Sequence, residues 1–160
     1  MGSAAVEGAI GRITAETTVS RLLTTTCTEL VELLDASRGM ISRVIGDLMV
    51  ELGAYDRTGE ERPLELYLLS DYPLTQEVLD TGEPRTVLRS DADADAAETA
   101  LLEQLELDAL LMVRLRARGK NWGLVEIYTD ETGFTQEQVN IAVAIVDRVG
   151  ALLAELEGTV

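Results

Sequence analysis

The sequence predicts an α+β fold in which helices cover both faces of a largely antiparallel sheet of about six strands. Pairs of short apolar runs are joined by turn residues, and segments with helical periodicity flank them. Residues 110–113 are apolar at consecutive positions of a predicted strand. Since successive strand residues point to opposite faces, such a strand must be covered on both sides. We therefore expect layers of helices above and below the sheet.

The chain begins with a helical pattern. Apolar side chains recur three and four residues apart over residues 5–35, which predicts a helix that is interrupted near Gly8 and Gly11. Gly39 is the predicted stop. A β-hairpin follows over residues 40–45 and 48–55, because Gly46-Asp47 between these runs is the Gly-X pair of a type II′ turn.

The middle of the chain predicts shorter elements. Residues 56–63 are charged and predict a loop, and residues 64–69 predict a short strand. Proline at the first helical position and glycine just past the end are typical helix boundaries, which predicts a helix from Pro73 to Gly82. Residues 85–88 then predict another short strand.

An acidic stretch precedes the next helix. Residues 90–99 hold alternating aspartates, but the central glycine and the final glutamate of an EF-hand are absent, so we expect a solvated loop that leads into a helix over 96–106. Residues 110–115 and 122–128 predict a second hairpin.

The last segment has a strong helix start. Thr135 and Gln138 form a capping box, and apolar residues continue at helical spacing to about residue 157.

Charge and composition exclude several classes of function. The 160 residues include 29 acidic and 13 basic ones, for a net charge of −16. Such a surface repels phosphate backbones, so we expect no nucleic-acid partner. We also expect no membrane association, because no window approaches the ~20 apolar residues of a membrane span. The absence of a basic, apolar leader predicts a cytoplasmic protein.

The chain also lacks the usual groups for catalysis. It has no histidine and one cysteine, Cys27. Ser-His and Cys-His nucleophile pairs, histidine-ligated metals and an internal disulfide are thereby excluded. No pair of carboxylates stands in a recognisable catalytic frame. We expect neither an enzyme nor a metal site, and we expect Cys27 to be a buried helix residue.

Two segments resemble the GAF domain family. Residues 72–84 (YPLTQEVLDTGEP) resemble its P-x-x-x-x-V-L-x-T-G-x-P stretch, and residues 105–135 resemble its paired strands with the following F-T. Arg114 departs from this pattern, because many members have proline there. The resemblance covers about residues 20–155.

This resemblance implies a bacterial sensor or regulatory domain. One domain would span residues 1–160, with a six-stranded sheet and a small pocket on one face. The N-terminal helix (5–35) and the C-terminal helix (135–157) would lie on the other face and pair between protomers. Ala142, Ile145, Val149 and Leu152 lie beyond the main stripe of the last helix, which favours a homodimer.

The resemblance also suggests residues that line the pocket. They are Arg43, Tyr67, Tyr72, Leu74, Val78, Met112, Arg114 and Trp122. Arg43 lies within an apolar strand, where it either clamps a carboxylate or phosphate or extends its head group to water. Glu126 has three alternatives: exposure at a sheet edge, pairing with an arginine, or a ligand contact.

No family cofactor is predicted. Some members attach a bilin through a pocket cysteine, whereas Cys27 stands in the first helix. Others ligate haem through histidine, and the cyclic-nucleotide signature has no match here. The predicted function is that of a non-catalytic signalling module that binds a small molecule and acts on an output domain or partner. The alternative is a dimerisation scaffold without a ligand.

Overall fold

The computed structural model describes residues 2–60, 66–130 and 133–158. A short 3₁₀ turn, Leu69–Asp71, precedes the third helix. The elements in chain order are α1 (Ser3–Thr14), α2 (Val19–Leu34), β1 (Arg38–Ile45), β2 (Leu48–Asp56), β3 (Leu66–Leu68), α3 (Pro73–Thr81), β4 (Arg85–Leu88), α4 (Ala96–Leu105), β5 (Ala109–Ala117), β6 (Lys120–Thr129) and α5 (Gln136–Gly158).

The six strands within the described ranges form one sheet in the order β3-β2-β1-β6-β5-β4. Every neighbouring pair is antiparallel. The predicted α+β class with a largely antiparallel sheet is therefore confirmed. Gly46 begins the β1–β2 turn with a φ of 61°, the positive value that the first central residue of the predicted turn requires.

Each face of the sheet has its own apolar core. The helix-side core lies between the sheet and α1, α2 and α5. The cavity-side core lies on the opposite face, under α3 and α4. Strand alternation divides β6 between the two cores, since Val125 and Ile127 belong to the first and Leu124 and Tyr128 to the second.

Helix α5 lies very close to the sheet. A Cβ atom at Gly150 would stand 2.0 Å from the carbonyl oxygen of Arg116 on β5, closer than atoms can approach without a shift of the backbone. Gly150 thus allows the helix backbone to approach the strand closely. Val146, Val149 and Leu153 are buried around this contact.

The N-terminal helix is interrupted at a different place from the one predicted. Gly8 and Gly11 lie inside α1, and the break falls at residues 15–18. Thr18 is in an extended conformation, and its hydroxyl accepts a hydrogen bond from the Arg21 N–H at 3.2 Å. This cap begins a new helix because it satisfies one of the free N–H groups of the first turn. α1 then packs back against α2 and α5.

Other predicted boundaries are confirmed. α3 begins at Pro73 and is capped by Gly82. In the capping box, the Gln138 N–H donates to the Thr135 hydroxyl at 3.1 Å, and the Thr135 N–H donates to Gln138 Oε1 at 2.8 Å. The predicted strand 64–69 is present as β3, although its first two residues lie outside the described ranges.

The second apolar side of α5 is covered within the same chain. Ala142, Ile145, Val149 and Leu152 are all buried in the helix-side core. They complete the packing of α5 on α1, α2 and the sheet, so they are not available to a second protomer. Of the helices within the described ranges, none combines the length and apolar character needed to cross a lipid bilayer.

Candidate ligand-binding site

A small cavity lies on the face of the sheet opposite α1, α2 and α5. Strands β1, β2 and β6 form its floor, and α3, α4 and the β3–α3 segment form its walls. Its free volume is about 10 Å³, which is close to the lower limit for one water molecule. Its lining residues are Met40, Met49, Tyr67, Tyr72, Thr75, Glu98, Leu101 and Glu126.

Glu98 reaches this cavity from the first turn of α4. Asp95 caps the helix, and its Oδ2 accepts the Glu98 N–H at 3.2 Å. The Glu98 side chain is 0% exposed, and its Oε1 accepts a hydrogen bond from Thr75 Oγ1 at 2.7 Å. Oε2 has no hydrogen-bond partner within the described part of the chain. A buried carboxylate oxygen without a donor is costly, so this atom is a natural ligand contact.

Glu126 is the second carboxylate of the cavity. It lies on β6 directly opposite Met40 of β1 and Met112 of β5, and it is 4% exposed. Tyr128 donates a hydrogen bond from its hydroxyl to Glu126 Oε2 at 2.8 Å. Burial, together with the charge of Glu98, raises the pKa of Glu126 to about 8. Near neutral pH Glu126 is therefore mostly protonated.

The pKa of Glu98 is also raised, mainly by burial, while its hydrogen bond from Thr75 opposes the shift. The charge of Asp95 adds to the shift of Glu98, and the charge of Glu98 adds to that of Glu126, so both carboxyl groups stand in an environment that disfavours their ionisation. A positive charge near these groups would favour their ionised forms.

Arg38 is a buried cation on the same face of β1 as Met40. Its Nη2 lies 3.2 Å from Glu51 Oε1, and its Nη1 lies 3.6 Å from Asp56 Oδ2. Both contacts are to carboxylates of β2. The guanidinium is thereby engaged beside the cavity, and its effect on the pKa of Glu126 is the smallest among the causes that act on that group.

The rest of the cavity wall is aromatic and apolar. The rings of Tyr67 and Tyr72 meet edge to face, with centroids 5.8 Å apart and planes at 81°. Both tyrosines are half-buried, whereas Met40 and Met49 are buried deeper on the floor. The site therefore combines two acidic groups at its base with two aromatic rings nearer the surface.

A family model decides which group of proteins this arrangement belongs to. The GAF domain model matches residues 18–153. The chain belongs to the GAF domain family. No curated protein sequence matches the chain.

Solved GAF-containing structures share its fold. The phytochrome photosensory core module of Stigmatella aurantiaca superposes with a TM-score of 0.84 at 15% identity, over 97% of this chain and 36% of that one. The chromophore-binding domain of a Stigmatella aurantiaca bacteriophytochrome, the Thr289His mutant in the Pr state, gives 0.82 at 14% identity, over 94% and 59%. This GAF domain thus spans about a third and just under two thirds of those chains.

A neighbour of matching length is the phycocyanobilin-bound GAF domain from a cyanobacterial phytochrome. Its TM-score is 0.81 at 19% identity, and the alignment covers 96% of both chains. At these identities the likeness concerns the fold alone. The contacts of the cavity therefore have to be judged from the residues of this GAF domain itself.

The structure brings some of the predicted pocket residues together. Tyr67 and Tyr72 line the cavity of this GAF domain. Met112 does not line the free space but lies behind Thr75, which does. Its Sδ is 3.5 Å from Thr75 Oγ1. Val78 and Leu74 pack in the cavity-side core without lining the free space.

Arg114 lies on the cavity face of β5, but it contacts the end of α3. Its Nη1 donates to the carbonyl oxygen of Leu79 at 3.2 Å, and the side-chain amide of Asn121 donates to the same oxygen at 2.8 Å. These bonds satisfy a carbonyl of the last helical turn. Arg114 thus holds α3 against the sheet.

Arg43 and Trp122 meet each other away from the cavity. The Arg43 guanidinium carbon stands 4.4 Å from the centre of the Trp122 ring. Leu115 pairs with Gly123 and Arg116 with Asn121, so Trp122 is the extra residue of a β-bulge. The bulge turns its side chain to the helix-side core, although simple alternation from Leu124 would place it on the cavity face.

The sequence analysis missed most of the polar groups of the cavity. Glu98 was assigned to a solvated loop and helix start, and Glu126 was left with three alternatives. A signal for Glu98 exists, since it precedes Leu101 and Leu102 by three and four residues and so lies on their face of α4. For Glu126 the signal is its place between Leu124 and Tyr128 on one strand face.

Cys27 is buried on the other side of the sheet. It belongs to the helix-side core, and burial raises the pKa of its thiol. It therefore does not face the cavity. In the described part of the chain, no group of three or more His, Cys, Asp or Glu side chains is placed to hold a metal ion.

Proposed function

We propose that this GAF domain is a non-catalytic sensor module that binds a small organic molecule in the cavity and passes the change to its helix layer. The observation that carries the proposal is Glu98, which is fully buried, lines the cavity and has one carboxylate oxygen without a hydrogen-bond partner among the described residues. A structural carboxylate would be expected to have both oxygens satisfied, whereas a binding group keeps one for its ligand.

The sheet offers a physical route from the cavity to the helices. Glu126 lines the cavity, while its neighbours Val125 and Ile127 pack in the helix-side core. Because β6 is shared by both cores, a ligand that shifts this strand also changes the packing under α2 and α5. A ligand acts in this way only if it binds one arrangement better than the other.

A scaffold without a ligand is the second candidate function. It is favoured by the small free volume of about 10 Å³, which leaves room for only about one water molecule. The sensor proposal therefore requires Tyr67 and Tyr72, the half-buried part of the wall, to move apart for anything larger than a small head group.

Homodimerisation is part of the proposal. We place it on the helix layer, where Ile10, Ile141, Val143 and Leu156 are only partly buried. Symmetric pairing there would be isologous. We also propose a bacterial, cytoplasmic signalling context with an output domain or partner, because the chain spans only about a third of the phytochrome module that shares its fold.

A covalently attached bilin is not what we propose, although two solved neighbours are described as bound to phycocyanobilin and to phycoerythrobilin. Cys27 is buried in the core on the opposite face of the sheet. A linkage through its sulfur would have to pass through the sheet.

The test is a thermal-shift screen of a metabolite collection, divided into cations, neutral compounds and anions. Leu101→Phe narrows the cavity, and Leu105→Phe on the same helix is the matched control, because Leu105 does not line it. A compound that stabilises the natural protein and the control, but not Leu101→Phe, supports the sensor function. No stabilising compound in any class would favour the scaffold instead.

A further inference from the structure

We propose that the cavity binds the protonated amine or amidine group of a small organic cation, with Glu98 Oε2 accepting an N–H bond from it and the Tyr67 and Tyr72 rings contacting it. This inference rests on the proposed function, since it names the ligand class of the same cavity.

The first argument is the hydrogen-bond inventory of Glu98. Thr75 already donates a hydrogen bond to Oε1, so Oε2 is the carboxylate oxygen that is left to accept one from a ligand. An ionised carboxylate can only accept, and its strongest partners are charged N–H groups. A ligand anion or carbonyl would bring a second acceptor to this oxygen and would be repelled.

The second argument is charge. Glu98 and Glu126 both line the cavity, and the charge of Glu98 disfavours ionisation of Glu126. The arginine described beside them, Arg38, is engaged by Glu51 and Asp56. Arg43 and Arg114, which would suit an anion, contact Trp122 and the end of α3 instead. The cavity therefore favours a ligand that carries positive charge.

The third argument separates an organic cation from a metal ion. Calcium takes six to eight oxygen ligands. Within the described residues, the cavity wall offers two carboxylates and the Thr75 hydroxyl, and the other wall residues carry thioethers, phenol rings and an aliphatic chain. Aromatic faces and polarisable sulfur suit an ammonium or amidinium group with an attached apolar body.

The orientation follows from burial. Glu98 is fully buried at the base, whereas Tyr67 and Tyr72 are half-buried. The cationic group would enter first, and the rest of the ligand would leave between the rings. The free volume of about 10 Å³ accommodates the head group alone, so the ring pair must open as it binds.

Binding should also release protons. A cation beside the carboxyl pair favours ionisation of Glu126, whose pKa is about 8 in the absence of ligand. The groups that face Glu126 are Glu98 of α4, Arg38 of β1, Glu51 of β2 and Tyr128 of its own strand. Near pH 7 the affinity for the cation is then expected to increase with pH, while the amine itself remains protonated.

The experiment uses three probes of nearly equal size: n-butylammonium, 1-butanol and butyrate, at matched ionic strength. Isothermal titration and thermal shift are measured on the natural protein, Glu98→Gln and Glu103→Gln. Glu103 is an exposed glutamate of the same helix and provides the charge-matched control. We expect butylammonium alone to bind, and binding to weaken at least about tenfold in Glu98→Gln but not in Glu103→Gln.

A second readout needs no variant. Titration of the natural protein with butylammonium in two buffers of different ionisation enthalpy should reveal proton release near pH 7, and this release is independent of whether Glu98→Gln folds. Binding without proton release, or unchanged binding in a folded Glu98→Gln protein, would overturn the assignment.

The remaining outcomes separate the two proposals. If neither butylammonium nor any amine of the metabolite collection binds, while butanol, butyrate or another neutral or anionic compound does, the cation assignment is wrong and the sensor function stands. If no compound of any class binds the cavity, both proposals fail together.

Discussion

The two faces of the sheet bury side chains for different purposes. On the helix side, the buried polar residues of α2, Thr26 and Glu29, have partners in the Leu22 carbonyl and Arg12, and the apolar core packs so closely that α5 needs Gly150 where it meets β5. The cavity-side core buries Glu98 and Glu126 among methionines, leucines and tyrosines. Buried apolar contacts stabilise a fold, whereas buried carboxylates cost stability unless a partner satisfies them. The contrast supports the proposal that one face stabilises the fold and the other binds a ligand.

The largest expected effect is a loss of packing on the helix side. Leu153 is fully buried between α5 and the sheet. Leu153→Ala should lower the free energy of unfolding by about 3–4 kcal/mol, because it removes apolar contacts and leaves a cavity. Urea unfolding followed by circular dichroism measures it. A change below about 1 kcal/mol would contradict the close packing of this core.

The next effect tests the close approach of α5. Gly150→Ala places a methyl group against the Arg116 carbonyl, so we expect a loss of about 2–3 kcal/mol. Gly11→Ala is the control, because nothing lies within 4 Å of its added Cβ and alanine favours a helix. Gly11→Ala should leave stability unchanged or raise it slightly in the same unfolding assay.

The next prediction concerns the cavity face and the pH dependence of the free energy of unfolding. The pKa of Glu126 is about 8 in the folded protein and near 4.5 in an unfolded chain. Between these values the folded state binds more protons, so its stability should fall as the pH rises from about 5 to about 8. The slope from this group is at most about 1.4 kcal/mol per pH unit.

Glu126→Gln isolates that slope, because it removes the titration and keeps the side-chain shape. Glu103→Gln again serves as the control, since its carboxylate is exposed on α4. Unfolding midpoints are compared at pH 5.5 and pH 7.5. If the two variants show the same pH dependence, Glu126 is not the buried titrating group.

The smallest effect concerns Arg114. Its replacement tests whether this residue stabilises the position of α3 or contacts the ligand. Arg114→Met keeps the aliphatic length and removes the hydrogen bond to the Leu79 carbonyl, so we expect a loss of about 1 kcal/mol. The affinity for butylammonium should stay within about twofold of the natural protein. A large loss of affinity with unchanged stability would make Arg114 a ligand contact after all.

Predictions made from local patterns were the most accurate. The Gly46-Asp47 turn, the boundaries of α3 and the capping box of α5 depend on residues a few positions apart, and all three are present. The position of the break between α1 and α2 was wrong, because a cap at Thr18 and packing of α1 on α5 decided it. The two glycines on which the prediction rested indicate neither the cap nor this packing.

The site was less accessible to sequence reasoning. Tyr67 and Tyr72 line one cavity, and their role as ligand contacts stays a prediction. Arg43 and Trp122 meet elsewhere, because a bulge reverses the direction of Trp122. Glu98 has the spacing of a core residue and the chemistry of a surface residue. Composition favours the surface for such a residue, and only the packing of α4 over the sheet buries it.

The sequence by itself determined the order of the elements, the antiparallel pairing of the hairpins and the fold class, since these follow from periodicity and turn chemistry within short stretches. The tertiary structure decided which polar groups are desolvated together. Glu98 and Glu126 come from an edge helix and a central strand, 28 positions apart, and their shared environment exists only once both cores have formed. The properties of a buried charge depend on everything packed around it, and no local pattern carries that information.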